Sequence, residues 1–156
     1  MSARRIIGLG QPFAGDDAVG LAVIAHLRAQ HLADLELCEA VDATELITLL
    51  AQGDRAVLVD GAIGVPVGLV RQIALDELDN VSPLGASSHG IGVHQAIGLA
   101  GALSPGAAPL WLRLIGIGIA MPTPGQPRLS PTVRTAISVA AALAVALVRG
   151  LRPPDG

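Results

Sequence analysis

The chain has 156 residues, a formal net charge of −3 and 51% hydrophobic residues, with one Trp, one Phe and no Tyr. That length predicts one domain with a substantial core, and the core must be built from Leu, Ile, Val and Ala. The acidic balance and the lack of stacking aromatics argue against a nucleic-acid partner, and a lone cysteine, Cys38, excludes an internal disulfide and fits a reducing compartment.

Arg4 and Arg5 precede an apolar run, but that run breaks at Gly8 and Gly10 and meets Asp16, so it is not a signal peptide. Ile6 to Leu9 is predicted as the first strand. A glycine-rich turn follows it, where Gly8 and Gly10 permit close approaches that a Cβ resists. Asp16 or Asp17 is expected to cap the helix from Ala18 to Gln30, whose apolar residues Val19, Ala22, Val23 and Leu27 fall near helical period. One acid suffices for a cap. The other stands free beside the carboxyl end of the first strand, where open α/β folds keep their ligands. A dinucleotide site is the rival reading, because Gly8-Leu9-Gly10 opens like G-x-G-x-x-G. Its sixth position is Phe13, however, and two acids at the helix start would repel a pyrophosphate.

His26 and His31 read as surface residues. Leu35 to Val41 is the second predicted strand, with Cys38 as a small buried filler and Glu39 at its exposed end. Asp42-Ala43-Thr44-Glu45 has capping-box spacing for a short helix through Leu46 to Gln52 that stops at Gly53. Ala56 to Asp60 is the third strand, continuously apolar until its terminal carboxylate, as expected of a strand buried on both faces. The turn Gly61 to Gly68 leads to a strand at Leu69 to Leu75, and Arg71 and Gln72 there point to a sheet edge. Asp76 to Ala86 reads as a loop. Ser87-Ser88-His89 introduces a helix from Gly92 to Leu103, and Leu110 to Ile117 is the fifth strand. A proline-rich loop, Ile119 to Leu129, ends at Ser130-Pro131, which suits an N-cap followed by the first helical position. The last helix runs to Arg149 and ends at Gly150, and the tail 151–156 is expected to fray. Its 13-residue apolar run, Ala136 to Val148, is too short to span a bilayer, so a soluble cytoplasmic protein with no membrane partner is expected. It could pack in the core or meet a partner.

The order β-α-β-α-β-β-α-β-α predicts an α/β protein. A mostly parallel five-stranded sheet with one antiparallel strand would lie between helical layers, in a single domain spanning 1–150.

Three residues stand where chemistry is expected. Asp17 follows the first strand, Asp60 ends the third, and His89 opens the third helix. Two carboxylates and an imidazole suit a borderline divalent ion such as nickel, zinc or manganese, and leave positions open for water or substrate. Each also has a plainer reading. Asp17 serves equally as a helix cap, Asp60 as a cap for the turn at Gly61, and His89 as a loop hydrogen bonder. His94 lies on a different helical face and is a weaker ligand. Glu39, Asp42 and Glu45 are most simply a strand end and a cap. No G-x-S-x-G elbow and no H-E-x-x-H motif is present. Spacing alone stops at an α/β protein with a candidate metal-assisted site.

Gly8-Leu9-Gly10-Gln11-Pro12-Phe13-Ala14-Gly15-Asp16-Asp17-Ala18-Val19-Gly20 resembles the opening motif of the nickel–iron hydrogenase maturation endopeptidases, G-[IV]-G-N, a short spacer, then D-[DE]-x-x-G. Val57-Leu58-Val59-Asp60-Gly61-Ala62, with Gly68 after it, resembles that family's second acidic strand end. Ser87-Ser88-His89-Gly90-Ile91-Gly92 is similar to its S-x-H-x-[LIM]-[GS] segment. Leu114 to Ile117 and Leu129 to Val133 resemble its late strand and last helix. The likeness spans nearly the whole chain.

The resemblance implies an enzyme that removes a short C-terminal peptide from the hydrogenase large-subunit precursor after nickel insertion. It implies that Asp17, Asp60 and His89 form the catalytic, metal-contacting trio. The nickel would be carried by the substrate, with no permanently bound cofactor. Two departures stand out. Gln11 occupies the usual Asn position, and Glu39 to Thr44 lacks the glycines of the family's D-G-G-T or D-x-G-T segment. Two other readings stay open: a non-catalytic α/β module that senses metal and docks a partner, and a nucleotide-binding oxidoreductase domain.

Overall fold

The computed structural model describes residues 4–52, 55–74, 93–103, 112–123 and 125–150. Gly53, the 76–86 loop, Ser87-Ser88-His89, the side chain of His94 and the tail 151–156 lie outside the described residues.

The elements follow the predicted order. They are β1 (Arg4–Leu9), a 3₁₀ turn (Gly15–Ala18), α1 (Val19–Arg28), β2 (Glu36–Ala40), α2 (Ala43–Leu50), β3 (Arg55–Ala62), β4 (Val70–Ile73), α3 (Val93–Leu103), β5 (Leu112–Gly118) and α4 (Pro131–Gly150). The sheet order is β2-β1-β3-β5-β4. β1 pairs in parallel with β2 and β3, β3 pairs in parallel with β5, and β4 closes the edge antiparallel to β5. The chain leaves β1 toward β2 on one side and returns to β3 on the other. That reversal opens a crevice at the carboxyl ends of β1 and β3, the switch point where doubly wound sheets bind ligands.

Strand alternation builds the two faces. Ile6, Val57, Val59, Ile115 and Ile117 join Val23 and Leu27 of α1 and Ala140 and Ala144 of α4 on one side. Ile7, Leu58 and Leu114 join Leu46 and Leu50 of α2 and Ala96 and Ala100 of α3 on the other. Successive side chains of a strand point to opposite faces, so one continuous apolar run feeds both layers.

The last helix has 20 residues, longer than its apolar run, and is long and apolar enough by length and composition to cross a membrane. Here Val133, Ala136, Ala140, Ala141, Ala144 and Val148 form a buried stripe in the core with α1 and the sheet. The helix therefore packs in the core. Two further expectations are corrected. Neither Asp16 nor Asp17 caps a helix, since no side chain bonds the start of the 3₁₀ turn or of α1. Cys38 is half-buried on the edge strand β2, where half a side chain's contacts are missing by position.

Other local signals held. Asp42 accepts the Glu45 N–H at 2.8 Å, and the Glu45 carboxylate reaches back to the Val41 N–H at 2.9 Å. Arg5 is fully buried despite its place at the start of the chain, and donates to the Leu49 carbonyl and to the Gln52 side chain, stapling β1 to the end of α2.

Candidate functional site

The loop leaving β1 is fixed to its neighbours by backbone. The Gly10 N–H donates to the Ala40 carbonyl and the Gln11 N–H to the Asp17 carbonyl, both at 3.3 Å. A Cβ at Gly10 would collide with that same Asp17 carbonyl, which is why glycine stands there. The Gln11 side chain donates to the Val41 carbonyl at 2.6 Å, tying this loop to the exit of β2. Phe13 adopts φ 58 and is 87% exposed. It therefore plays no part in a close helix–strand contact.

The two adjacent acids have separate tasks. The Asp16 carboxylate accepts the Ser130 N–H at 2.7 Å and the Ser130 hydroxyl at 2.9 Å. Ser130 is the N-cap of α4, as its sequence position predicts, its Oγ accepting from the Val133 N–H at 3.4 Å. Asp17 is the free acid. Its carboxyl is half-buried, and burial raises its pKa to about 6. Among the described residues no donor bonds it.

Asp60 is 7% exposed and lies two residues before the end of β3, which continues through Gly61 and Ala62 and so outruns the expected end at Asp60. Its Oδ1 accepts the Gly61 N–H at 2.8 Å, but Gly61 belongs to the strand, so the expected turn cap at Gly61 is corrected to a local bond within β3. Burial pushes its pKa well above the usual carboxylate range, the negative charge of Asp17 adds to this, and the Gly61 N–H opposes it. Two carboxyls separated by 43 positions thus stand at the same end of the sheet, near enough for the charge of Asp17 to act on Asp60. Such a pair prefers to hold a proton or a cation, because two like charges in a poorly solvated site repel.

Of the three sequence-predicted site residues, Asp17 and Asp60 lie close enough for the charge of one to raise the pKa of the other, and His89 lies outside the described residues. Among the described residues, no group of three or more His, Cys, Asp or Glu is arranged to hold a metal ion. Glu39 faces outward to Arg28 at 2.5 Å, and Asp42 and Glu45 are occupied by their cap. An open cleft of about 340 Å³ adjoins the 3₁₀ turn, with Asp16, Met121, Arg128 and Ser130 in its lining. Sequence reasoning missed the Asp16–Ser130 pair and the Gln11 strap. Nothing local signals either, since each partner stands on a remote loop.

The chain matches no protein-family model, and no curated protein matches it by sequence. Its fold is shared with several solved structures. A [NiFe] hydrogenase maturation protease, HybD from Thermococcus kodakarensis, superposes with a TM-score of 0.73 at 19% identity, over 95% of this chain and 99% of that one. The hydrogenase maturating endopeptidase HybD from E. coli gives 0.66 at 20% identity, over 96% and 93%. The endopeptidase HycI from Escherichia coli gives 0.70 at 14% identity, over 94% and 90%. At these identities the likeness is one of fold.

Proposed function

We propose that this chain is a cytoplasmic endopeptidase of hydrogenase maturation, which removes the C-terminal extension of a nickel–iron hydrogenase large-subunit precursor after nickel insertion. The observation that carries this reading is the electrostatic coupling of Asp17 to the buried Asp60 beside the switch point, in a fold shared with proteins named as maturation proteases. Asp17 and Asp60 contact the nickel carried by the substrate, and His89, by the sequence resemblance, is the third group.

The chemistry follows from the pair. Peptide hydrolysis needs an activated water and a polarised or well-positioned carbonyl, and substrate-borne nickel supplies one of the latter two. Asp17, with a pKa near 6, is largely ionised at neutral pH and suited to act as base. The water oxygen bonds to the carbonyl carbon as its proton passes to the carboxylate. Collapse of the intermediate breaks the C–N bond, and that proton goes to the departing amine.

The test is an intact-mass spectrum of a large-subunit precursor incubated with this protein, with and without nickel in the precursor. Loss of a short C-terminal peptide from the nickel-loaded sample alone is expected. Asp17→Ala, Asp60→Ala and His89→Ala should each leave a folded protein that no longer processes. Full processing by all three variants would refute the site. Stable binding of the precursor with no change in mass would favour the non-catalytic docking module.

A further inference from the structure

We infer that Asp16 is a positioning residue for the candidate site: its two-point clasp on Ser130 fixes the 3₁₀ turn that presents Asp17 to Asp60. The inference rests on the peptidase reading for its kinetic consequence, but not for its geometry.

The anchor is rigid. Ser130 opens α4, its carbonyl accepting from the Arg134 N–H at 2.9 Å, and the buried stripe of α4 is locked against β1, β3, β5 and α1. The clasp spans 114 positions and uses both carboxylate oxygens, at 2.7 and 2.9 Å. Two-point recognition fixes orientation as well as distance. On its other side the turn rests on the site itself, the Asp16 carbonyl lying 3.5 Å from where a Cβ on Gly61 would stand. The turn therefore bridges the start of α4 and the Asp60–Gly61 step of β3.

Among the described residues Asp17 lacks such a support of its own. No donor among the described residues holds its carboxyl, so the backbone of the turn sets its place. Two backbone bonds there are long, Asp17 N–H to the Ala14 carbonyl and Gln11 N–H to the Asp17 carbonyl, both at 3.3 Å, and the Val19 N–H closes the turn on the Asp16 carbonyl. The chain also enters the turn through left-handed torsions, at Phe13 before it and at Gly15, its first residue, and the non-glycine Phe13 must be held there by its neighbours. The Asp16 carboxylate supplies two short bonds, at 2.7 and 2.9 Å, that tie the turn to a distant element. One acid of the pair is thus structural so that the other can be reactive.

The test compares Asp16→Ala, Asp16→Asn and Ser130→Ala with the wild type. An Asn can accept the Ser130 N–H through Oδ1 and donate from Nδ2 to Oγ, so it restores the clasp. For cleavage of nickel-loaded precursor, Asp16→Ala should lower kcat about tenfold or more while KM stays within about twofold, because the loss falls on the reacting geometry. Asp16→Asn should return kcat to near the wild-type value, and Ser130→Ala, which keeps the N–H arm, should lower it less than Asp16→Ala. The second readout needs no activity. The ¹H–¹⁵N signal of Gly61, donor to Asp60, should move in Asp16→Ala and return in Asp16→Asn. Wild-type kcat in Asp16→Ala, or an unmoved Gly61 amide, overturns the inference. If Asp16→Ala fails to fold, Ser130→Ala decides: wild-type kcat and an unmoved amide overturn the inference. Failure of the wild type to cleave any precursor would sink the peptidase reading while the Gly61 signal still tests the clasp.

Discussion

Gly8 on β1 and Gly20 in the first turn of α1 pack backbone against backbone. A Cβ on Gly8 would collide with the Gly20 carbonyl, and a Cβ on Gly20 would meet the Leu9 carbonyl and lie 2.5 Å from that of Val59. This approach lets α1 begin directly over β1 and β3, which leaves the preceding acids at the crevice. Gly20 thus provides the close helix–strand contact that Phe13 does not. Gly20→Ala should destabilise the protein by about 3 kcal/mol, since rigid backbone cannot yield to an inserted methyl group. Urea unfolding checks this, and an unchanged midpoint would contradict the contact.

Stability should fall with rising pH at the acid pair. An unfolded Asp titrates near pH 3.9, whereas burial raises Asp17 to about 6 and pushes Asp60 well above the usual carboxylate value. Between these values the folded state binds more protons than the unfolded chain. The stabilisation is therefore complete below about pH 4 and lost as pH rises through 6 and beyond. Asp17→Asn should match the wild type in Tm near pH 4 and exceed it at pH 7, modestly, because the half-exposed group is screened by water. The same variant should be inactive on precursor, a stability gain at the expense of function. Thermal melts from pH 4 to 8 with a chelator present check the sign. A Tm for Asp17→Asn below that of the wild type at pH 7 would contradict it.

Gln11 is one methylene longer than the Asn of the resembling motif, and its Nε2 uses that length to reach the Val41 carbonyl at 2.6 Å. Gln11→Asn should leave that carbonyl without the bond and cost about 1 kcal/mol. A shift in the denaturation midpoint at constant m-value measures it, and a neutral result would mean that the shorter amide also spans the gap.

Phe13 adopts a left-handed torsion that a bulky side chain disfavours, and it gains little in return because its ring is in solvent. Phe13→Gly should stabilise the fold by about 1 kcal/mol, the relieved strain exceeding the added chain entropy. Loss of stability would instead reveal packing by the ring.

Much of the fold was legible because its causes are local. The apolar runs Ile6–Leu9 and Ala56–Val59 mark strands wherever they fold, Asp42 and Glu45 cap within one turn, and Ser130-Pro131 starts α4 whatever lies nearby. The antiparallel edge showed in the polar Arg71 and Gln72. Asp17 and Asp60 stood out because each follows a strand that a wound sheet must align. Their mutual electrostatic influence, the division of labour between Asp16 and Asp17, and the burial of Arg5 needed the tertiary structure. The sequence by itself determined the elements and their order, since torsional preference, periodicity and capping act within a few residues. Only the packed chain decided which acid is free, because desolvation and a hydrogen bond across 114 positions depend on what topology brings alongside.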